Sequence, residues 1–145
     1  GISGIRIHRG TATIEEKRFL LDAHSEFNFS GPDVSIHRMS LSWMPEDNIH
    51  LHMCYQWHGC YDYKSIEVDN QSVYLTTNNN RKLTRKLITC MNEEIKMIIY
   101  DYNQQAIYIN AQKFEINLTL VPSCVAVLNE SKTATQLISC RIEGK

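Results

Sequence analysis

The residues of this chain best suited to chemistry stand together between Ile49 and Asp62, in the order I-H-L-H-M-C-Y-Q-W-H-G-C-Y-D. Ile49, Leu51, Met53, Tyr55 and Trp57 hold the odd positions, and His50, His52, Cys54, Gln56, His58 and Cys60 the even ones. Such alternation is the pattern of a β-strand with one buried face. The second face then carries imidazoles and thiols, which ligate transition metals or act as nucleophiles. Side chains two apart on a strand root about 6.5 Å from one another, and two imidazoles so placed can share one Zn²⁺ at bonds of about 2.0 Å. His50 with His52, or His52 with Cys54, is therefore a valid half-site. His50 with Cys54, about 13 Å apart in a straight strand, is not. Cys54 and Cys60 root about 20 Å apart unless the chain turns at Gly59, too far for a disulfide, whose Cα atoms lie within about 7 Å.

A tetrahedral site needs one or two further ligands, and His8, His24 and His37 stand in no recognisable spacing with the pair. We therefore expect a structural strand and no metal or other cofactor, with His50, His52 and Cys54 as the residues a metal would use. A metal-dependent enzyme built on His50 and His52 is retained as an alternative. No other catalytic constellation is present. Cys60 follows His58-Gly59 without a nucleophile-elbow motif, and no phosphate-binding glycine loop occurs. The expectation is a chain without catalytic residues.

Two surfaces could meet a partner. Arg81, Lys82, Arg85 and Lys86 fall four apart in two pairs. On a helix from Arg81 to about Met91, capped by Asn80, they form one cationic face opposite Leu83, Leu87, Cys90 and Met91. More often such a run is only the solvated side of an amphipathic helix. Tyr61 and Tyr63 belong to an aromatic-rich stretch, and exposed tyrosines anchor protein interfaces. These six residues are the partner-binding candidates.

The elements that must position these groups are read from periodicity and turn signals. Gly4 to Arg9 reads as a short strand, and Thr13 to Ala23 as either a capped helix or a strand. Ser30-Gly31-Pro32-Asp33 is a turn. In Val34 to Trp43 the apolar parity changes between Ile36 and Met39, which calls for a β-bulge near His37-Arg38. Pro45, Glu46 and Asp47 then predict a turn that pairs Met39–Trp43 with Ile49–Trp57 as an antiparallel hairpin. Tyr61 to Val68, with Ile66 and Val68 inward, turns at Asp69-Asn70-Gln71 into Val73 and Leu75. Further strands are predicted at Ile95–Tyr102, Ala106–Asn110, Phe114–Leu120, Val125–Leu128 and across residues 135–142.

Eight to ten short strands with one or two short helices give a mainly β, single antiparallel domain. A partly open barrel of the pleckstrin-homology type is favoured, with a β-sandwich as the alternative. A length of 145 residues suits one domain, and Gly1 at the start suggests excision from a longer chain. A formal net charge of −1 gives no global attraction to nucleic acid or anionic membrane, and no apolar run approaches a membrane span. Five cysteines, an odd count, favour an intracellular setting. The sequons at Asn28, Asn70, Asn117 and Asn129 favour a secreted or surface glycoprotein instead. The function expected is non-catalytic binding of a protein or peptide.

Overall fold

The computed structural model describes residues 4–6, 12–30, 35–46, 48–56, 63–117 and 121–144. Thirteen strands run through them: β1 (Gly4–Arg6), β2 (Ala12–Leu21), β3 (Glu26–Ser30), β4 (Ile36–Trp43), β5 (His50–Gln56), β6 (Tyr63–Asp69), β7 (Ser72–Asn79), β8 (Lys82–Cys90), β9 (Met97–Asp101), β10 (Ala106–Ile109), β11 (Gln112–Glu115), β12 (Cys124–Asn129) and β13 (Thr135–Gly144). They form a seven-stranded sheet, β1-β3-β12-β5-β6-β7-β8, and a six-stranded sheet, β11-β10-β9-β4-β13-β2. Pairing is antiparallel except between β1 and β3. The sheets do not close on one another, so the architecture is the sandwich rather than the barrel favoured from the sequence.

The core lies between the sheets. Leu51, Met53 and Tyr55 of β5, Ile66 and Val68 of β6, and Val125 and Val127 of β12 meet Met39, Leu41 and Trp43 of β4, Ile98 and Tyr100 of β9, and Leu137 and Ile142 of β13. All are buried. The Tyr55 and Tyr100 rings stack across the gap, with centroids 4.5 Å apart. Burying one face of each sheet removes apolar surface from water at roughly 25 cal/mol per Å². The strict period of two in β5 therefore fixes which face turns inward.

The bulge expected in β4 is present: Arg38 faces Glu143 while Ile36 faces Gly144, so His37 is the extra residue and both Ile36 and Met39 stay in the core. A second irregularity lies between Leu137 and Ser139. It returns Cys140 and Ile142 to the buried side that Leu137 occupies.

One open reading is settled and two elements differ from the sequence expectation. Residues 12–21, read as either a capped helix or a strand, form a strand. The segment expected as a helix from Arg81 is β8, paired along its length with β7. Asn80 and Arg81 both adopt left-handed backbone angles, φ 52° and 64°, and so close a two-residue hairpin between Asn79 and Lys82. The β-branched Thr84, Ile88 and Thr89 suit the strand. Asn70 and Asn110 open the equivalent two-residue turns at φ 57° and 54°. Asparagine tolerates this region better than other residues with a Cβ. Finally, β4 and β5 do not pair. Trp43 N–H donates to Lys96 and Met44 N–H to Gln136, so the six-stranded sheet holds the chain until it crosses to the other sheet. The two apolar strands face one another across the sandwich instead of lying side by side.

Candidate functional site

The side chains that alternate with the core of the seven-stranded sheet lie on its outer face. Antiparallel register places His52 opposite Glu67 and Cys54 opposite Ser65 on β5 and β6. It then places Glu67 opposite Tyr74 and Ser65 opposite Thr76 on β7, and Thr76 opposite Arg85 on β8. Four strands thus present adjoining rows of polar groups on one face, with His50 and His52 on β5 at one side of it.

These groups are joined. His50 Nε2 donates to Glu67 Oε2 at 2.7 Å, and His52 Nε2 donates to Glu130 Oε2 at 2.9 Å. Each imidazole also lies 3.7 Å from the other's carboxylate. Arg85 Nε donates to Glu67 Oε1 at 2.9 Å, while its guanidinium lies 3.5 Å above the centre of the Tyr74 ring. At that distance the ring attracts the cation by a cation–π interaction. Ser65 Oγ lies 3.4 Å from His52 Nδ1. The backbone holds Glu130 in place: Glu130 N–H donates to the His50 carbonyl, and His50 N–H donates to Ser131 Oγ.

Glu67 is the buried member, its side chain 8% exposed. Burial pushes its carboxyl up, but hydrogen bonds from Arg85 and His50 outweigh that and hold it below the usual carboxylate range. The site is therefore an anchored carboxylate between a guanidinium and two imidazoles, open to solvent on one side.

Of the metal candidates, the structure brings together His50, His52 and Glu67. Cys54 is not in that cluster; it is half-buried, and burial pushes its thiol up. Cys90, expected on a buried helix face, is exposed near the end of β8. Alkylation at neutral pH should modify Cys90 well before Cys54, read by peptide mass mapping; equal rates would contradict the burial of Cys54.

The four cationic candidates do not form one face. Arg85 lies on the outer face between Leu83 and Leu87, Lys82 and Lys86 alternate to the other side, and Arg81 sits in the turn. Tyr63 begins β6, and Tyr61 lies outside the described residues. Glu67 was open to sequence reasoning, since Ile66 and Val68 inward put it outward. Glu130 carried no comparable signal. Among the sequons, Asn28, Asn70 and Asn117 are exposed and Asn129 is buried. Among the described residues no helix is long and apolar enough to cross a membrane.

No family model matches the chain, and no curated protein matches it. Among solved structures, the crystal structure of the Caenorhabditis elegans galectin LEC-6 matches with a TM-score of 0.56 at 14% identity, covering 87% of this chain and 95% of that one. At that identity the likeness is one of fold: the chain is a two-sheet β-sandwich, as that structure is.

Proposed function

We propose that the chain is a non-catalytic binding domain and that the outer face of its seven-stranded sheet holds a carbohydrate. The observation that carries this is the His50–Glu67–Arg85 hydrogen-bond chain beside the Tyr74 ring. A sugar offers adjacent hydroxyls, each a donor and an acceptor, and fixed charged groups that supply both roles recognise them. Arg85 carries five N–H donors in a rigid fork, and Glu67 supplies carboxylate acceptors next to it. These groups sit on paired strands, which hold a site more sharply than loops do. The fold likeness to a galectin, a lectin by name, supports the same reading.

A glycan array followed by calorimetry on the best ligand tests it. The expected result is binding to one glycan class, weakened about tenfold by Arg85→Ala, the cost of one charge-assisted hydrogen bond. Arg85 is exposed on an edge strand, so the variant should fold. A blank array, or full affinity in Arg85→Ala, would sink the assignment.

One observation favours a second reading, a polypeptide partner. β8 ends the seven-stranded sheet and exposes Leu83 (64%) and Leu87 (52%). An unpaired edge can accept a strand from a peptide, although Lys82 and Lys86 are the residues that usually discourage it. A blank array, together with a cross-linked complex that a Leu83→Lys, Leu87→Lys double substitution abolishes, would move the assignment here.

A further inference from the structure

We propose that His50, His52, Glu67 and Glu130 bind one divalent transition-metal ion of the zinc type on the outer face of the seven-stranded sheet. This goes beyond the carbohydrate reading and does not depend on it. The sequence offered two imidazoles and no third ligand. The fold supplies Glu67 from the neighbouring strand and Glu130 from the end of β12.

The geometry points to one ion because the donor atoms converge. One ring nitrogen each of His50 and His52 and a Glu67 carboxylate oxygen all lie within 4.8 Å of one another, with the Nε2 atoms 2.7 and 3.7 Å from Glu67 Oε2, and the two rings lie 5.0 Å apart on one strand face. Around a tetrahedral ion with bonds of about 2.0–2.1 Å, neighbouring ligand atoms stand about 3.3–3.4 Å apart. The two hydrogen-bonded pairs, at 2.7 and 2.9 Å, are shorter than this, and the two crossed pairs, at 3.7 Å, are longer. These four contacts change by about 0.3–0.7 Å on coordination, and the exposed Glu130, which stands outside the three-residue cluster, swings in to complete the shell. The ion takes the Nε2 lone pair of each neutral imidazole, whose single ring proton is then carried on Nδ1, and any second ring proton leaves to solvent.

The surroundings orient these ligands. Arg85 occupies Glu67 Oε1 and leaves Oε2 toward the histidines. Ser65 Oγ beside His52 Nδ1 leaves Nε2 as the coordinating nitrogen. Such outer partners typically tune metal affinity 10–100-fold. The backbone bond from Glu130 to His50 fixes the one ligand that comes from outside the β5–β6 hairpin. His50 and His52 are half-buried and Glu130 exposed, so an ion can enter from solvent. Two imidazoles with two carboxylates suit Zn²⁺, Co²⁺, Ni²⁺ or Cu²⁺, whereas Mg²⁺ and Ca²⁺ prefer oxygen-only shells.

The test is calorimetric titration of the chelator-treated, thiol-reduced protein with ZnCl₂ and with MgCl₂, and a visible spectrum after adding CoCl₂. The expected result is one Zn²⁺ per chain, no saturable Mg²⁺ binding, and Co²⁺ absorption without thiolate charge-transfer bands. His52→Ala should weaken Zn²⁺ at least tenfold. Glu130→Gln, at an exposed position that cannot endanger the fold, should also weaken it. Arg85→Ala should weaken it about 10-fold or more through Glu67. Circular dichroism of each variant separates lost binding from lost folding. Absence of saturable Zn²⁺ binding, undiminished binding in both His52→Ala and Glu130→Gln, or strong thiolate bands would each overturn the site.

Discussion

Replacing Trp43 with alanine is expected to lower the free energy of unfolding by about 3–5 kcal/mol. Trp43 is fully buried in β4, which lies inside the six-stranded sheet between β9 and β13. Its removal leaves a cavity that neighbouring strands, pinned by their ladders, cannot collapse to fill. For a domain of this size the loss corresponds to a melting temperature lower by about 10 °C, a large part of a typical stability of about 5–15 kcal/mol. Leu83→Ala is the comparison. As the apolar face of a helix, Leu83 would cost about 2–5 kcal/mol; at its exposed place on β8 it should cost no more than about 0.5 kcal/mol. Urea unfolding of both variants reads the difference. Equal losses would contradict the strand assignment of β8.

That contrast marks where the sequence was informative. Period-two alternation states which face of a strand is buried, and it did so for β5, for the bulged β4 and for Ile66 and Val68 in β6. It does not state which strand lies alongside. The Pro45 turn read equally well as a hairpin between β4 and β5 and as a crossing between sheets, and only packing across the sandwich decides. β8 misled for a different reason. Leu83 and Leu87 at a spacing of four mimic a helical stripe, while the determining signal was the pair Asn80-Arg81, a two-residue turn without the glycine that usually announces it.

The candidate site was legible to the same degree. His50 and His52 could be placed on one outward face from alternation alone. Glu67 followed from Ile66 and Val68 once β5 was paired with β6, and the expectation that β5 paired with β4 hid it. Arg85 was visible as a charge but assigned to a helix, where it could not reach Glu67. Glu130 stands 78 residues from His52, and no local pattern links them; the contact is created by β12 lying beside β5.

Asn129→Ala should cost about 3 kcal/mol and disturb the site as well. Asn129 is fully buried at the end of β12. Its Nδ2 donates to the carbonyls of Leu21, Asp22 and Thr133, and its Oδ1 accepts from Ser131 N–H. Alanine leaves the buried Leu21 carbonyl, and the half-buried contacts to Asp22 and Thr133, without their donor, at about 1–3 kcal/mol for each group that water cannot reach. Asn129→Asp keeps the acceptor for Ser131 but loses the donors and adds a buried charge, so it should be no better. The same amide explains why this sequon differs from the other three: a glycan on Nδ2 would occupy the atom that ties together residues 21, 22 and 133. The consequence for the site follows from Ser131, which Asn129 positions and which in turn accepts the His50 N–H. Loosening Ser131 frees both His50 and the neighbouring Glu130. Chemical unfolding measures the first effect, and the imidazole resonances of His50 and His52 measure the second. A loss of stability that leaves those resonances unmoved would show that the loop and the site are held independently.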